Sequence, residues 1–408
     1  MDINHQRAVD RYIGVPICWL LSGLNRVFKR EPDGIPPKSI LVILLSEMGS
    51  LVLAQPMFMR LKQQYPDASI HVLMFGKNRE VLDLMELIPA ENVITLNDSS
   101  FKTLLKDSVD AIIKMRDLKI DAVIDCELFS RVSSIFSYLS GAAYRVGFYR
   151  HTQEGLYRGT FINRRVAYNT YRHLTQQFLS LAAAIESDST PANKLFPEPY
   201  VGKTPVLEFP IEELMQVSKE LHNFYPPIKD KKLVLIYPSG GILPIRAWPL
   251  QHYCQVAKAL LAEGYAVGVI GMKGDREISQ QVVDACKDAA CVNLAGYTKS
   301  VRHLLAVFHR ACLLITNDGG PGQFAALTPK LPTIIFFGPE TPTLYKSLGT
   351  NSYCFYRNLP CSPCLTAYNH RASACDGDNQ CLKQISPQQV LQKAHEMLAA
   401  KAAESTPA

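Results

Sequence analysis

The sequence predicts an α/β protein built from two doubly wound parallel-sheet domains, and three observations lead there. Short apolar runs alternate with helix-length amphipathic stretches through both halves of the chain. A polar, Pro-rich interval, 186–210, separates those halves. The chain has 408 residues, enough for two domains at roughly 150 residues each. With 47% apolar and 20% charged residues, a sizeable core can form and global disorder is excluded. The net charge of +6 (43 Lys plus Arg against 37 Asp plus Glu) is too small to argue for nucleic acid as a partner. Eleven cysteines are too few for a disulfide scaffold of this length.

Residues 1–35 stand apart as an amphipathic segment. Tyr12–Leu24 (YIGVPICWLLSGL) is apolar, with Arg7 and Arg11 before it and Arg26, Lys29 and Arg30 after it. Asp2 and the lack of a small-residue cleavage site argue against a signal peptide. Gly14, Pro16 and the short run argue against a membrane span, which needs about 20 residues. Two readings are open: an interfacial helix placing Trp19, Leu20 and Leu24 among acyl chains, and a terminal helix packed on the protein's own surface. Pro36–Pro37 then leads into the first domain, 36–200.

Ile40–Leu45 is a continuous apolar run, as expected of a strand buried on both faces. A turn, Ser46–Ser50, and a helix, Leu51–Tyr65, follow it. Ile70–Met74, Val93–Leu96 and Ala122–Asp125 read as the next three strands. Tyr144–Arg172, rich in Tyr and Arg, breaks the rhythm before Leu174–Ile185 resumes a helical pattern. Pro191, Pro197, Pro199 and Pro205 mark the linker. The second domain, 201–385, repeats the alternation with strands at Leu233–Tyr237, Ala266–Ile270, Val292–Leu294, Leu313–Ile315 and Thr333–Phe337. Residues 386–408 make a last helix, Gln388–Ala400, and a frayed tail. Ligands of such folds bind at the carboxyl ends of the strands.

No G-x-G-x-x-G with a downstream acid opens the first half, and no Walker A, H-E-x-x-H or G-x-S-x-G sequence occurs. The second half instead carries a series of small-residue turns after its strands. Ser239-Gly240-Gly241 follows one, Gly271-Met272-Lys273-Gly274-Asp275 another, and Asp318-Gly319-Gly320-Pro321-Gly322 a third, leading into a helix at Gln323–Leu327. Small residues let backbone N–H groups approach a diphosphate, which a helix N-terminus also favours. Arg246 adds a charge-assisted contact to the same phosphates, and Asp275 stands where a carboxylate meets ribose hydroxyls.

These turns resemble glycosyltransferase family 9, the ADP-heptose:lipopolysaccharide heptosyltransferase family. The matching segments are RAWP, NLAGYTKSVRHLLAVFHRACLLITNDGGPGQFAAL and PTIIFFGPETP in the second half. In the first half they are ILVILLSEMGSLVLAQPMFMRLKQQYPDASI and DAVIDCELFSRVSSIFSYLSGAAYRVGF. The resemblance implies a GT-B fold, two facing Rossmann-like domains with acceptor bound by the first and donor by the second. It also implies an inverting, metal-independent transfer that needs no catalytic cofactor. The donor site would then comprise Ser239, Gly240, Gly241, Arg246, Asp275, Asp318, Gly319, Gly320 and Gln323.

This chain departs from the family at informative places. The family's Gly-Asp, whose aspartate is the expected base, is Gly49-Ser50; its histidine after the aspartate motif is Gln323; its K-x-W-P lysine is Arg246. Serine is no base near neutral pH, so another carboxylate must accept the acceptor's proton. Glu47, in the same turn, and Glu127, just past the fourth strand, are the candidates, with Glu154 a third in the presumed acceptor loop. Each carboxylate also has a structural reading, paired with an arginine such as Arg131. Ser50, Arg131, Arg145, Glu154 and Arg158 are expected to meet the acceptor. The run of Arg145, Arg150, Arg158, Arg164, Arg165 and Arg172, interleaved with tyrosines, suits an anionic glycan or lipid-linked acceptor, and equally a solvated loop.

Cys361, Cys364, Cys375 and Cys381 cluster late, and structural zinc, free or packed thiols, and a disulfide are all open for them. The expectation is a glycosyltransferase in the cytoplasm, held peripherally at the inner face of the cytoplasmic membrane. Its partners would be an ADP- or UDP-linked sugar, an anionic glycolipid acceptor and the membrane surface. Its alternatives are a nucleotide-sugar 2-epimerase and an inactive relative that only binds nucleotide sugar or glycan.

Overall fold

A computed structural model describes residues 7–28, 32, 34–45, 47–194, 197, 206–369 and 371–404. Expectations resting on Asp2, Lys29, Arg30, Ser46, Pro199, Pro205 and the tail after Glu404 lie outside the described residues. The chain divides into two compact units, Met1–Lys203 and Thr204–Ala408.

The first unit opens with a π-helical turn, Asp10–Gly14, that runs into helix α1 (Val15–Val27). Strand β1 (Ser39–Ile43) leads to α2 (Met48–Gln64), β2 (Ser69–Phe75), α3 (Arg79–Leu84) and β3 (Val93–Leu96). Then come α4 (Phe101–Asp117), β4 (Ala122–Asp125), α5 (Arg131–Leu139), β5 (Tyr144–Tyr149), β6 (Arg164–Ala167) and α6 (Leu174–Ala183). The sheet is wholly parallel in the order β3-β2-β1-β4-β5-β6. Every residue of β1 and β4 is buried, which is why both are apolar without alternation.

The second unit begins with α7 (Ile211–Phe224), β7 (Leu233–Tyr237), α8 (Leu250–Ala262), β8 (Ala266–Gly271), α9 (Arg276–Cys286) and β9 (Cys291–Ala295). It continues with α10 (Val301–Arg310), β10 (Ala311–Asn317), α11 (Gly320–Phe324), β11 (Thr333–Phe337), α12 (Pro342–Tyr345) and β12 (Ser352–Tyr356). Helices α13 (Gln380–Lys383) and α14 (Pro387–Glu404) complete it. Its sheet, also parallel, runs β12-β11-β10-β7-β8-β9. Each sheet is therefore one doubly wound order, and each reverses direction once, at β1/β4 and at β7/β10.

The interval Tyr144–Arg172 is not the break in rhythm that its composition suggests, because it holds β5 and β6. Arginine hid them. Arg145 is 3% exposed, its charge satisfied by the carbonyls of Phe161 (2.8 Å) and Ala142 (2.5 Å) and by Asn25 Oδ1 (3.2 Å). The edge strand β12 was missed because it is only half-buried.

Candidate functional site

In a doubly wound sheet the loops on either side of the reversal point diverge, leaving a crevice at the strands' carboxyl ends. Both reversal points carry the residues the sequence singled out. In the first unit Glu47 follows β1 and Glu127 follows β4, the neighbouring strand. The backbone N–H of Leu45 donates to Glu127 Oε1 at 2.6 Å, so this carboxylate already ties the two strand ends together. Glu127 is 8% exposed. Glu47 is half-buried and sits at φ 43°, a left-handed conformation that a β-carbon disfavours and that is concentrated at functional sites. Ser50, in the first turn of α2, donates its N–H to the Glu47 carbonyl at 3.1 Å.

The arginines expected to meet an acceptor are bound to partners within the unit. Arg158 is 1% exposed and donates to the carbonyls of Ser130 (2.9 Å), Glu127 (3.1 Å) and Phe148 (3.3 Å), to Ser133 Oγ (3.1 Å), and to the Asp125 carboxylate. Burial pushes the Asp125 carboxyl up to about 6, against the downward pull of Arg158. Arg131 donates Nε to the Tyr157 carbonyl (2.9 Å) and pairs Nη1 with Asp10 (3.0 Å). Asp10 also accepts the N–H groups of Arg131 (2.8 Å) and Val132 (3.0 Å), capping α5 from outside that helix. Three of the interleaved tyrosines carry an arginine: Arg150 lies over Tyr157 (5.5 Å), Arg164 over Tyr144 (5.5 Å) and Arg165 over Tyr149 (4.3 Å), whereas Tyr171 is exposed. The donors of Arg131, Arg145 and Arg158 thus meet main-chain, amide and carboxylate oxygens of the unit itself. Glu154 is exposed.

In the second unit Ser239 follows β7 and Asp318 follows β10, the strand beside it. Asn317, which sequence reasoning passed over, stitches them. Its Nδ2 donates to the carbonyls of Tyr237 (3.2 Å) and Ser239 (3.0 Å), while its Oδ1 accepts from Trp248 N (2.8 Å) and Tyr253 OH (3.0 Å). Trp248 stacks on Phe336 at 4.4 Å, and its indole N–H donates to the Ile385 carbonyl. The RAWP motif is therefore anchored at its tryptophan, with Arg246 presented from a 3₁₀ turn, Pro244–Arg246.

Arg246 Nη1 lies 3.5 Å from Asp318 Oδ2 and 3.8 Å from Glu340 Oε2; Arg371 Nε lies 3.2 Å from Glu340 Oε1. Two cations and two carboxylates thus converge at the switch point, with Arg246 7%, Asp318 6% and Glu340 3% exposed. Glu340 and Arg371 were not foreseen. Glu340 stood inside the quoted GPETP segment, whereas nothing local marks Arg371. Gly240 is required, since a β-carbon there would stand 2.6 Å from the Leu243 carbonyl oxygen. Gly241 takes φ 61° in the same turn.

The helix after Asp318 starts at Gly320 rather than Gln323, and with five residues followed by a 3₁₀ turn its dipole is small. Gln323 donates Nε2 to the Tyr345 carbonyl at 2.7 Å. Asp275 Oδ2 accepts the Met272 N–H at 2.8 Å, closing the β8 turn, and burial together with this carboxylate pushes the Tyr237 phenol up. All eleven cysteines are free thiols. Among the described residues no group of three or more His, Cys, Asp or Glu could hold a metal, which corrects the zinc expectation for Cys361, Cys364, Cys375 and Cys381. Cys361 and Cys375 are exposed, Cys381 is buried, and Cys364 accepts from Ser373 Oγ at 3.1 Å.

Among the described residues no helix is long and apolar enough to cross a membrane. One face of α1 packs on α5: Cys18 and Leu21 meet Ile135, Tyr138 and Leu139. Its opposite face exposes Trp19 (75%), Leu20 (60%) and Val27 (74%).

A family model described as glycosyltransferase family 9 (heptosyltransferase) matches residues 109–391. The chain is similar to lipooligosaccharide heptosyltransferase 2 of Haemophilus ducreyi, with 23% identity over 88% of this chain and 99% of the relative. It is similar at 24% to lipopolysaccharide heptosyltransferase 2 of Salmonella typhimurium, over 88% of this chain and 98% of the relative. The fold matches that of the E. coli ADP-heptose LPS heptosyltransferase II at a TM-score of 0.69 and 21% identity, covering 89% of this chain and 99% of the other. A second match, E. coli heptosyltransferase WaaC with ADP, has a TM-score of 0.59 at 15% identity, over 88% and 99% of the two chains.

Proposed function

The chain belongs to glycosyltransferase family 9 and is a glycosyltransferase of the GT-B fold; from that premise we propose that it transfers heptose from an ADP-linked donor to a lipopolysaccharide-core acceptor. The second unit binds the donor and the first binds the acceptor and supplies the base. The observation carrying this reading is the buried Arg246 at the β7/β10 switch point, beside the small-residue turns that follow both strands.

Glu47 removes the proton from the acceptor hydroxyl, and the freed oxygen attacks the anomeric carbon from the side opposite the diphosphate. The bond from that carbon to the diphosphate oxygen breaks, and the stereochemistry inverts. Arg246 and the backbone N–H groups of the Ser239–Gly241 turn take the negative charge of the departing nucleoside diphosphate, so no metal is required. Glu47 is preferred over Glu127 because Glu127 already accepts the Leu45 N–H and is nearly buried. The exposed face of α1, with Arg11 and Arg26 beside it, rests on the inner face of the cytoplasmic membrane, where a lipid-linked acceptor is found.

Nucleoside diphosphate release from ADP-heptose, measured with and without lipopolysaccharide core, tests the reading. Glu47→Gln lowers kcat by about 10²–10⁴-fold while Glu127→Gln keeps it within about tenfold. EDTA leaves the rate unchanged, and the product has the inverted anomeric configuration. If neither variant loses more than about tenfold, the base is misassigned; donor binding without acceptor-dependent release would mark a relative that only binds.

A further inference from the structure

The N-terminal segment is fastened to the first unit by polar groups as well as by Cys18 and Leu21. Asp10, in the π-helical turn, reaches the start of α5. Its Oδ1 accepts the N–H groups of Arg131 (2.8 Å) and Val132 (3.0 Å) and faces Ser130 Oγ at 3.4 Å, while Oδ2 pairs with Arg131 Nη1 at 3.0 Å. Gly14 permits this approach, since a β-carbon there would stand 2.8 Å from Arg131 Cβ. Ser22 of α1 makes a second attachment. Its hydroxyl donates to the Cys18 carbonyl (2.6 Å), so its oxygen accepts from Tyr157 OH (2.9 Å) and from the Thr160 N–H (2.8 Å).

The two attachments hold loops that meet at Glu127. Between Tyr157 and Thr160 stands Arg158, whose guanidinium donates to the carbonyls of Glu127 and Ser130. Arg131 closes the ring by donating Nε to the Tyr157 carbonyl. Glu127 in turn accepts the N–H of Leu45, two residues before Glu47. Phe129, between Glu127 and α5, sits at φ 65°, a conformation that a bulky residue keeps only where its surroundings impose it. A carboxylate from the N-terminal segment therefore pins the far end of the turn that lines the β1/β4 reversal point.

We propose that Asp10 is a positioning residue for glycosyl transfer: by holding the start of α5 it fixes the loop that carries Glu127 at the wall of the acceptor crevice. This rests on the reading that the first unit binds the acceptor. Asp10 acts through the loop and not on the substrate. A displacement of about 1 Å at such a wall costs up to about 10²-fold in rate.

Turnover of ADP-heptose with lipopolysaccharide core, measured on the full chain well below its melting temperature, tests this. Asp10→Ala lowers kcat/KM for the acceptor about 10–100-fold, while the calorimetric Kd for ADP stays within about twofold. Hydrogen exchange at the Leu45 amide, which Glu127 holds, quickens about tenfold or more in the same variant. Asp10→Asn keeps an oxygen for the two N–H groups and loses the charge, so its acceptor kcat/KM falls about threefold or more; it carries the comparison if Asp10→Ala does not fold. Adding Ser130→Asp to Asp10→Ala returns a carboxylate to the α5 N-terminus from within the helix, so Tm recovers while acceptor kcat/KM stays low. Recovery of both would reduce Asp10 to a helix cap and overturn the positioning role. Wild-type acceptor kinetics in the Asp10 variants, or an unchanged Leu45 amide, would overturn it too, with the transfer reading intact. A wild-type chain that binds ADP and releases no nucleotide on addition of acceptor would sink the transfer reading, and the role of Asp10 with it.

Discussion

Replacing Arg158 with methionine separates a structural arginine from one that grips an acceptor. The side chain makes five hydrogen bonds, to three carbonyls, Ser133 Oγ and the Asp125 carboxylate. Breaking a buried ion pair from one side costs about 3–5 kcal/mol, because the remaining charge is stranded. Here the carboxyl can relieve part of that by taking a proton, having already been lifted to about 6 by burial. The expected loss at neutral pH is thus near the lower end, about 3 kcal/mol. For a unit of Met1–Lys203, at roughly 2–4 °C per kcal/mol, Tm falls by about 6–12 °C. Without Arg158 the Asp125 carboxyl rises further above its unfolded value, so the folded state binds the extra proton. Stability of the variant then declines as pH rises from about 5 to 8, and the gap to wild type widens with it. Thermal melts across that pH range measure this, with Asp125→Asn and the double variant completing a cycle. The double variant should be less destabilised than the two singles summed. An unchanged Tm with a raised KM for acceptor would refute the structural role and restore Arg158 to acceptor binding.

Two further outcomes follow from the same geometry. Arg246→Met removes a charge-assisted phosphate contact of about 1.5–3 kcal/mol, so calorimetric titration with ADP should show Kd raised about 10–100-fold. His71 on β2 is 4% exposed, and burial, with Lys114 nearby, holds its imidazole below the usual range. The unfolded chain therefore binds the proton more readily, and stability is lost as pH falls below about 6.5. His71→Leu should flatten that limb of the urea-midpoint profile; an unchanged slope would show that other histidines govern it.

The central parallel strands were legible because burial on both faces favours apolar runs: Ala122–Asp125, Leu233–Tyr237 and Thr333–Phe337 stand where their residues suggested. Beta strands carrying arginine were not, since a guanidinium reads as solvated until its partners are known. Arg145 and Arg158 found theirs in carbonyls and a carboxylate across neighbouring loops. The turns after β7 and β10 announced themselves through glycine, whose conformational freedom is a local property.

Sequence alone determined the alternation of strands and helices, the small-residue turns and the departures at Ser50 and Gln323, all of them matters of residue type and spacing. Tertiary structure decided which charges are spent on the fold and which converge. Glu340 reaches Arg246, and Arg371 reaches Glu340, only through the fold, since all three stand far apart along the chain. Pairing of that kind depends on distance in space and desolvation at the meeting point, and neither is encoded in any local stretch of chain.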